Sequence, residues 1–347
     1  MTEDFYMRRC LELATLGLGN VAPNPLVGSV IVHNDRIIGE GYHMEYGMAH
    51  AEVNAINNVV DPTILKDSTL YVNLEPCCHH GKTPPCTDLI IQTGIKQVVI
   101  GSVDLHHVVA GKGISRLRNA GCEVKTGVLK NESYNLNRRF FTFHEKRRPY
   151  IILKWAQSAD SFIDFERKPG TAIGPNWITS KYLRILVHKW RSEEQAIMVG
   201  TNTARLDNPR LNTRLWPGKS PIRIIIDPDL DLPADLNVFD DSQKTIIVNQ
   251  RSEKTQGNTT WHKTDCSDTQ MIPKLMHFLY EMEIQSVIIE GGRVLLQNFI
   301  DQGFWDEARV FTGSRFFAGG IRAPLIAGNL DAKYEFQNES LCIFRKK

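Results

Sequence analysis

Two short stretches of this chain hold residues that can bind a metal ion and move a proton. One is His50-Ala51-Glu52; the other is Pro76-Cys77 with Pro85-Cys86 further on. One imidazole and two thiolates suit zinc, and three protein ligands leave a fourth tetrahedral position for water. Zinc lowers the pKa of such a water toward neutrality, so a strong nucleophile is available without strong base. Glu52, two residues beyond the histidine on a helix, is badly placed to ligate the same ion and well placed to shuttle the proton. Taken singly, His-Ala-Glu is an ordinary helix start and Pro-Cys an ordinary dipeptide. Their order carries the signal, with the cysteines in a loop between a strand and a helix. A purely structural zinc would normally have four protein ligands.

His-x-Glu followed by Pro-Cys and a second cysteine is the pattern of the zinc-dependent nucleobase deaminases. The spacing departs from the usual Cys-x-x-Cys, because Cys77 and Cys86 are nine positions apart. Cys78, His79 and His80 are therefore rival ligands. Cys77 and Cys86 are preferred because each follows a proline at the edge of a regular element. His79, His80 and Lys82 then fall in an inserted loop that can meet a substrate; charge alone suits Lys82 equally to a phosphate or to solvent.

The elements that must position these residues alternate between strand and helix. Residues 4–17 read as a helix with Phe5, Leu11, Ala14 and Leu18 on one face. Val27–His33 and Arg36–Tyr42 read as strands joined at Asn34-Asp35. His50–Asn58 reads as a helix, Thr69–Leu74 as a strand, and Thr87–Thr93 as a helix closed by Gly94. Gln97–Gly101, Gly113–Ala120 and Glu123–Thr126 continue the alternation, which is an α/β layer architecture. Residues 130–146 read as a polar connecting helix. The run Lys146-Arg147-Arg148 before Pro149 reads as a solvated linker, dividing the chain into domains 1–146 and 147–347. In the second half, apolar strands are expected at Tyr150–Ala156, Ala196–Gly200, Ile222–Asp227, Thr245–Val248, Ser286–Glu290 and Ala308–Thr312. Helices are expected at Ser180–Arg191, Gln270–Met282 and Arg293–Gln302. Glu290-Gly291-Gly292-Arg293 is a strand end, a glycine turn and a helix start, where ordinary packing competes with phosphate binding. Lys154, Asp160 and Arg191 would make a useful polar set for a phosphosugar.

Composition excludes several classes. With 347 residues, the chain suits two domains. A formal net charge of +2 is too small to argue for nucleic acid or a membrane surface as partner. No apolar run of signal-peptide or membrane-spanning type occurs. Seven cysteines, odd in number and clustered, argue against a disulfide framework and for a reducing, cytoplasmic setting. The sequence leaves oligomeric state open, with a homo-oligomer compatible.

Several of these segments together resemble a known family. They are Pro23-Asn24-Pro25-Leu26-Val27-Gly28, Gly39-Glu40-Gly41-Tyr42-His43, His50-Ala51-Glu52 and Glu75–Cys86 with its His-His-Gly-Lys-Thr-Pro-Pro-Cys. The family is the bifunctional deaminase/reductase of riboflavin biosynthesis, and the long cysteine insertion is one of its features. The resemblance implies a cytidine-deaminase-like three-layer domain followed by a dihydrofolate-reductase-like domain. It implies hydrolytic deamination of 2,5-diamino-6-ribosylamino-4(3H)-pyrimidinone 5′-phosphate, then NADPH-dependent reduction of the ribosyl group to ribityl. In the first domain it implies zinc on His50, Cys77 and Cys86, Glu52 as the catalytic acid/base, and substrate contacts from Asn24, His43, His79 and Lys82. In the second it implies cofactor contacts from Ala156, Trp177, Thr203, Asp207 and Gly292 onward, and substrate contacts from Arg191, Leu211, Arg214 and Glu290. Lys154 and Asp160 are candidates to orient the sugar or supply a proton.

Two stretches depart from the family pattern. The prolines usual before Val-x-Gly-x-Gly are replaced by Leu105-His106-His107, which predicts a looser loop. Asp160-Ser161 stands where Asp-Gly is common, at a place where serine cannot take every conformation open to glycine. Two other readings compete. One is a nucleic-acid-editing deaminase, opposed by the small net charge and the lack of a basic-aromatic motif. The other is a binding module with a dead site, opposed by the complete metal and proton-shuttle set.

Overall fold

The alternating apolar positions of the first half bury both faces of a central sheet. The computed structural model describes residues 2–79, 84–104, 111–168, 171–266 and 270–346. These divide into two compact units, Met1–Arg147 and Arg148–Lys347.

In the first unit the chain runs α1 (Glu3–Thr15), β1 (Gly28–His33), β2 (Arg36–Tyr42), α2 (Ala51–Asn57), β3 (Thr69–Leu74) and α3 (Cys86–Gln92). It continues through β4 (Gln97–Ser102), α4 (Lys112–Asn119), β5 (Glu123–Thr126), α5 (Lys130–Leu136) and α6 (Arg138–Lys146). Among the described residues the sheet order is β2-β1-β3-β4-β5. β1 and β2 form an antiparallel hairpin, and β3, β4 and β5 are parallel. The hairpin turns at Asn34 and Asp35, both at positive φ, as its two-residue loop requires. Side-chain alternation builds three layers. Val30, Val32, Tyr71 and Val99 face α1 through Tyr6, Met7, Cys10 and Leu13. Ile31, Leu70, Val72, Val98 and Ile100 face α2, α3 and α4 through Ala55, Ile56, Ile90, Ile114 and Leu117. Burying each such large apolar side chain stabilises the unit by roughly 1.5–3 kcal/mol.

The second unit runs β6 (Tyr150–Gln157), β7 (Phe162–Asp164), α7 (Lys181–Glu193), β8 (Ala196–Gly200), α8 (Thr201–Asp207), β9 (Ile222–Ile226) and β10 (Thr245–Asn249). Then come β11 (Lys254–Gln256), β12 (Thr259–Lys263), α9 (Met271–Glu281), β13 (Ser286–Gly291), α10 (Arg293–Asp301), β14 (Glu307–Thr312), β15 (Ile321–Arg322), β16 (Asn329–Phe336) and β17 (Glu339–Arg345). Its large sheet has the order β11-β12-β10-β9-β8-β13-β6-β14-β17-β16 among the described residues. The strands from β12 to β14 are parallel, and β17 with β16 adds an antiparallel edge. Ile151, Leu153, Met198, Ile224 and Ile289 pack under α9 and α10. Ile152, Ile197, Val199, Ile225 and Ile288 pack under α7 and α8. Near-continuous apolar strands are what a parallel sheet covered on both faces demands.

Two sequence expectations are corrected. The segment 130–146 is not one polar connector: it breaks at Asn137 into α5 and α6, and Phe140, Phe141 and Phe143 are buried. The break has a physical cause, because the Asn137 amide clasps Leu26, accepting its N–H at 2.7 Å and donating to its C=O at 2.9 Å. Nor is the basic run wholly solvated. Arg148 is buried and makes a bidentate pair with Asp306 at 2.6 and 2.8 Å. No described helix is long and apolar enough to cross a membrane.

Candidate active sites

The first site lies where α2, the end of β3 and the start of α3 converge. His50 is the extended residue capping α2. The helix lies close on β2 because Gly39 and Gly41 have no side chains: a Cβ on Gly41 would sit 2.4 Å from Ala55 N. The His50 Nδ1 is 3.5 Å from the Cys77 Sγ and 3.3 Å from the Cys86 Sγ. The three ligand atoms lie within 4.8 Å of one another, the separation a single shared ion spans. Cys77 Sγ also accepts the Cys86 backbone N–H at 3.3 Å, at the start of α3. The Cys86 thiol and His50 both donate toward Cys77, which lowers its pKa well below that of a free thiol.

Glu52 sits in the first turn of α2 and is buried, 3% exposed. Burial and the neighbouring Cys77 push its carboxyl up to about 6. The buried His43 ring lies edge-on to His50, with centroids 5.3 Å apart. Its Nδ1 is 3.1 Å from the Ala49 carbonyl, and its Nε2 is 3.0 Å from the Asn24 Nδ2. The hydrogen-bond partners assign the proton to Nδ1, so Nε2 accepts from the Asn24 amide. Burial lowers the His43 pKa, which keeps that arrangement neutral.

Other expected residues stand apart. Cys78 is outside the cluster and lies on a shallow cleft with Lys112 and Arg116. His79 is exposed. His80 and Lys82, like the stretch 105–110, lie outside the described residues. Three positioning residues escaped the sequence reading. Asn73 accepts from Gly28 N at 2.8 Å and donates to Leu26 O at 3.0 Å, and together with Asn137 it holds the segment that presents Asn24. Glu75 accepts four backbone N–H groups, from Asp104, Gly111, Gly113 and Ile114, at 2.9–3.2 Å. The signal for Asn73 was a lone amide in the apolar run Thr69–Leu74; for Glu75 it was a carboxylate directly before Pro76-Cys77.

The second site is a cavity of about 880 Å³ at the carboxyl ends of β6, β8 and β13. Ala156, Trp177, Thr203, Asp207, Gly292, Arg191, Leu211, Arg214 and Glu290 all line it, together with Lys154. Asp160 does not. Its carboxylate instead accepts the Ser158 hydroxyl at 2.6 Å and the N–H groups of Phe317 and Ala318 at 3.0 and 2.8 Å. It anchors a loop, so the expected role in orienting a sugar is withdrawn. Ser161 takes a φ of +67°, the left-handed conformation that glycine would occupy without strain.

At the centre of the cavity Glu290 holds Arg191 through a fork of 3.0 and 2.7 Å, with Lys154 at 4.0 Å. Burial alone would raise Glu290, but Arg191 and Lys154 hold it down at about 2. Burial lowers Lys154. Asp207 meets Arg167 at 2.8 Å, and burial still pushes its carboxyl up to about 6. His188 was not anticipated. Its Nδ1 accepts the Arg214 N–H at 3.2 Å, and burial, with Arg191 and Arg214 nearby, lowers it to about 4.

Residues 149–344 match the RibD C-terminal domain, and residues 1–102 match the cytidine and deoxycytidylate deaminase zinc-binding region. The chain is 40% identical to the riboflavin biosynthesis protein RibD of Aquifex aeolicus, over 91% of this chain and 88% of that protein. It is 33% identical to RibD of Escherichia coli, over 93% and 90%. Among solved structures it resembles a diaminohydroxyphosphoribosylaminopyrimidine deaminase/5-amino-6-(5-phosphoribosylamino)uracil reductase from Thermotoga maritima. The TM-score is 0.90 at 37% identity, covering 99% of this chain and 98% of that one. RibD of Acinetobacter baumannii follows with a TM-score of 0.88 at 28% identity. A fold matched over its whole length, with both halves matched by family models, places the chain in the RibD family of riboflavin-biosynthesis proteins.

Proposed function

We propose that this enzyme of riboflavin biosynthesis deaminates the diaminopyrimidinone ribosyl phosphate at the first site and reduces the ribosyl group of the product at the second, with zinc and NADPH. The observation that carries the reading is the convergence of His50, Cys77 and Cys86 beside a buried Glu52. The donor set fits zinc: one nitrogen and two sulfurs converge, and Cys77 is already favoured as thiolate. When bound, zinc supplies Lewis-acid activation of water. Glu52 takes a proton from the attacking water and delivers it to the departing amine nitrogen. A carboxyl held near neutrality can do both. The neutral His43 fixes the Asn24 amide, which leaves Asn24 Oδ1 to accept an N–H from the pyrimidine edge. Lys82 and His79 are assigned to the substrate phosphate and ring by family resemblance.

The second cavity fits a dinucleotide. Its volume lies in the range of ligand sites. Gly292, at the start of α10, leaves a cradle where a Cβ would stand 3.3 Å from Thr203 Oγ1. When bound, NADPH supplies the hydride. Ala156, Trp177, Thr203, Asp207 and Gly292 would hold it. Arg191, Leu211, Arg214 and Glu290 would position the sugar, with the buried Lys154 beside Glu290 placed to give a proton to the opening ribose oxygen. We place the domains at 1–146 and 147–347 and the enzyme in the cytoplasm.

The test supplies the purified protein with the diaminopyrimidinone phosphate, with and without NADPH, and follows ammonia and NADPH oxidation. Ammonia release in both cases and oxidation only after deamination are expected. Ammonia release without any oxidation would remove the reductase half of the reading.

A further inference from the structure

Asp207, expected to touch the dinucleotide, has only half of its carboxylate to offer. Its Oδ1 accepts Arg167 Nη2 at 2.8 Å, while Oδ2 takes no hydrogen bond among the described residues. Both residues line the second cavity. Arg167 is a bridge rather than a ligand-binding group, since each of its three nitrogens is engaged within the protein. Nε donates to Asp164 Oδ2 at 2.8 Å, at the end of β7. Nη1 donates to the carbonyls of Gly174 at 2.9 Å and Leu206 at 3.0 Å.

Four acceptors from three segments thus converge on one cation, whose side chain is 10% exposed. Leu206 and Asp207 close α8, where the last carbonyls lack partners along the helix and a cation is favoured. Gly174 N also donates to Leu206 O, at 2.9 Å, so the chain three residues before Trp177 is tied to the end of the same helix. Two carboxylates, Asp164 and Asp207, share this corner. Burial pushes the Asp207 carboxyl up to about 6; Arg167 opposes that rise and Asp164 adds to it. Without the cation between them, two part-buried like charges would favour the neutral acid on one of the pair. A neutral Asp207 would hold a proton on one oxygen and be a poorer acceptor for a ligand O–H. The guanidinium therefore does two things. It holds Asp207 in its ionised form, and by occupying Oδ1 it leaves Oδ2 as the oxygen on offer.

We infer that Arg167 is a positioning residue for the dinucleotide, acting through Asp207, whose carboxylate it holds ionised and oriented to accept a ribose hydroxyl of the cofactor. The inference rests on the proposed cofactor site, and direct binding keeps the two separable.

The experiment measures equilibrium binding of NADPH to the full chain, read by the fluorescence of the dihydronicotinamide. The proteins are the parent, Arg167→Gln, Arg167→Lys, Asp207→Asn and the double variant that joins Arg167→Gln to Asp207→Asn. Arg167→Gln should weaken NADPH by about tenfold, the usual worth of a hydrogen bond to a charged group. Arg167→Lys keeps the charge but cannot bridge four acceptors, so its loss should be smaller. Added to Asp207→Asn, Arg167→Gln should cost less than about twofold more, because the group it acts through is gone. NADPH affinity unchanged in Arg167→Gln would overturn the inference. So would an equal loss in both backgrounds, which would make Arg167 a structural brace that acts independently of Asp207. Should Arg167→Gln fail to fold, Arg167→Lys takes its place in the cycle and the same comparison decides. A parent enzyme that binds no NADPH would remove the cofactor reading and the inference with it. A parent that binds NADPH beside an unaffected Arg167→Gln would remove the inference alone.

Discussion

A carboxyl near neutrality beside three metal-binding side chains makes a sharp prediction for Glu52. Glu52→Gln should retain stoichiometric zinc by elemental analysis and lose about 10²–10⁴-fold in deamination, the usual worth of a positioned acid/base. Cys86→Ala should lose both metal and activity; full zinc occupancy in that variant would transfer the ligand role to Cys78 or a histidine. His188 gives a pH signature in the other site. Its folded pKa of about 4 lies below the ordinary 6.5, so the unfolded chain takes up this proton first as pH falls. Stability of the second unit should therefore decline from pH 6.5 toward about 4. In His188→Asn, urea melts across that window should show a shallower decline. At this scale the sequence was most legible where chemistry leaves a type-and-order signature, as in His50-Ala51-Glu52. His188 was not legible. A histidine on an amphipathic helix carries no mark of its role until the fold shows what it faces.

Helices and strands set how well those residues are aimed. Glu75 collects four amides around the start of α4 and stands two residues from Cys77. Glu75→Gln keeps the shape but removes the charge, and should cost about 2 kcal/mol with weaker zinc retention against a chelator. Ser161 holds a left-handed backbone at the turn after β6. Ser161→Gly should raise the melting temperature of the second unit, relieving about 1 kcal/mol of strain, with the gain trimmed by the extra freedom glycine has when unfolded. Most of the longer elements were read to within a few residues because apolar periodicity reports burial directly, whereas the short β7, α8, β11, β12 and β15 were not read. The exceptions are instructive. α6 looked polar because Arg138, Arg139, Glu145 and Lys146 mask the buried Phe140, Phe141 and Phe143. The edge pair β16 and β17 was missed although Leu330, Ala332, Tyr334 and Phe336 alternate with polar residues along β16; that face stays largely exposed.

Over the whole chain, two α/β units each carry their own buried clusters and their own site. The two activities should therefore separate by mutation. Cys86→Ala, given the already deaminated phosphoribosylaminouracil, should oxidise NADPH at a rate close to that of the parent enzyme. A matching loss of reduction would mean that the second site needs an intact first one. The two-unit plan was legible because the strand–helix alternation restarts at Tyr150. The long order β11-β12-β10-β9-β8-β13-β6-β14-β17-β16 was not, since which parallel strands become neighbours depends on crossover packing rather than on any local pattern.

The Glu75 carboxylate has one more consequence. A single oxygen, Oε2, receives the N–H of both Asp104 and Gly111, so the two ends of the intervening segment are pinned at one point beneath the metal-binding strand end. What lies between can then change in composition, or in length, at little thermodynamic expense, because closing a loop whose ends are already tethered depends only weakly on its residue count.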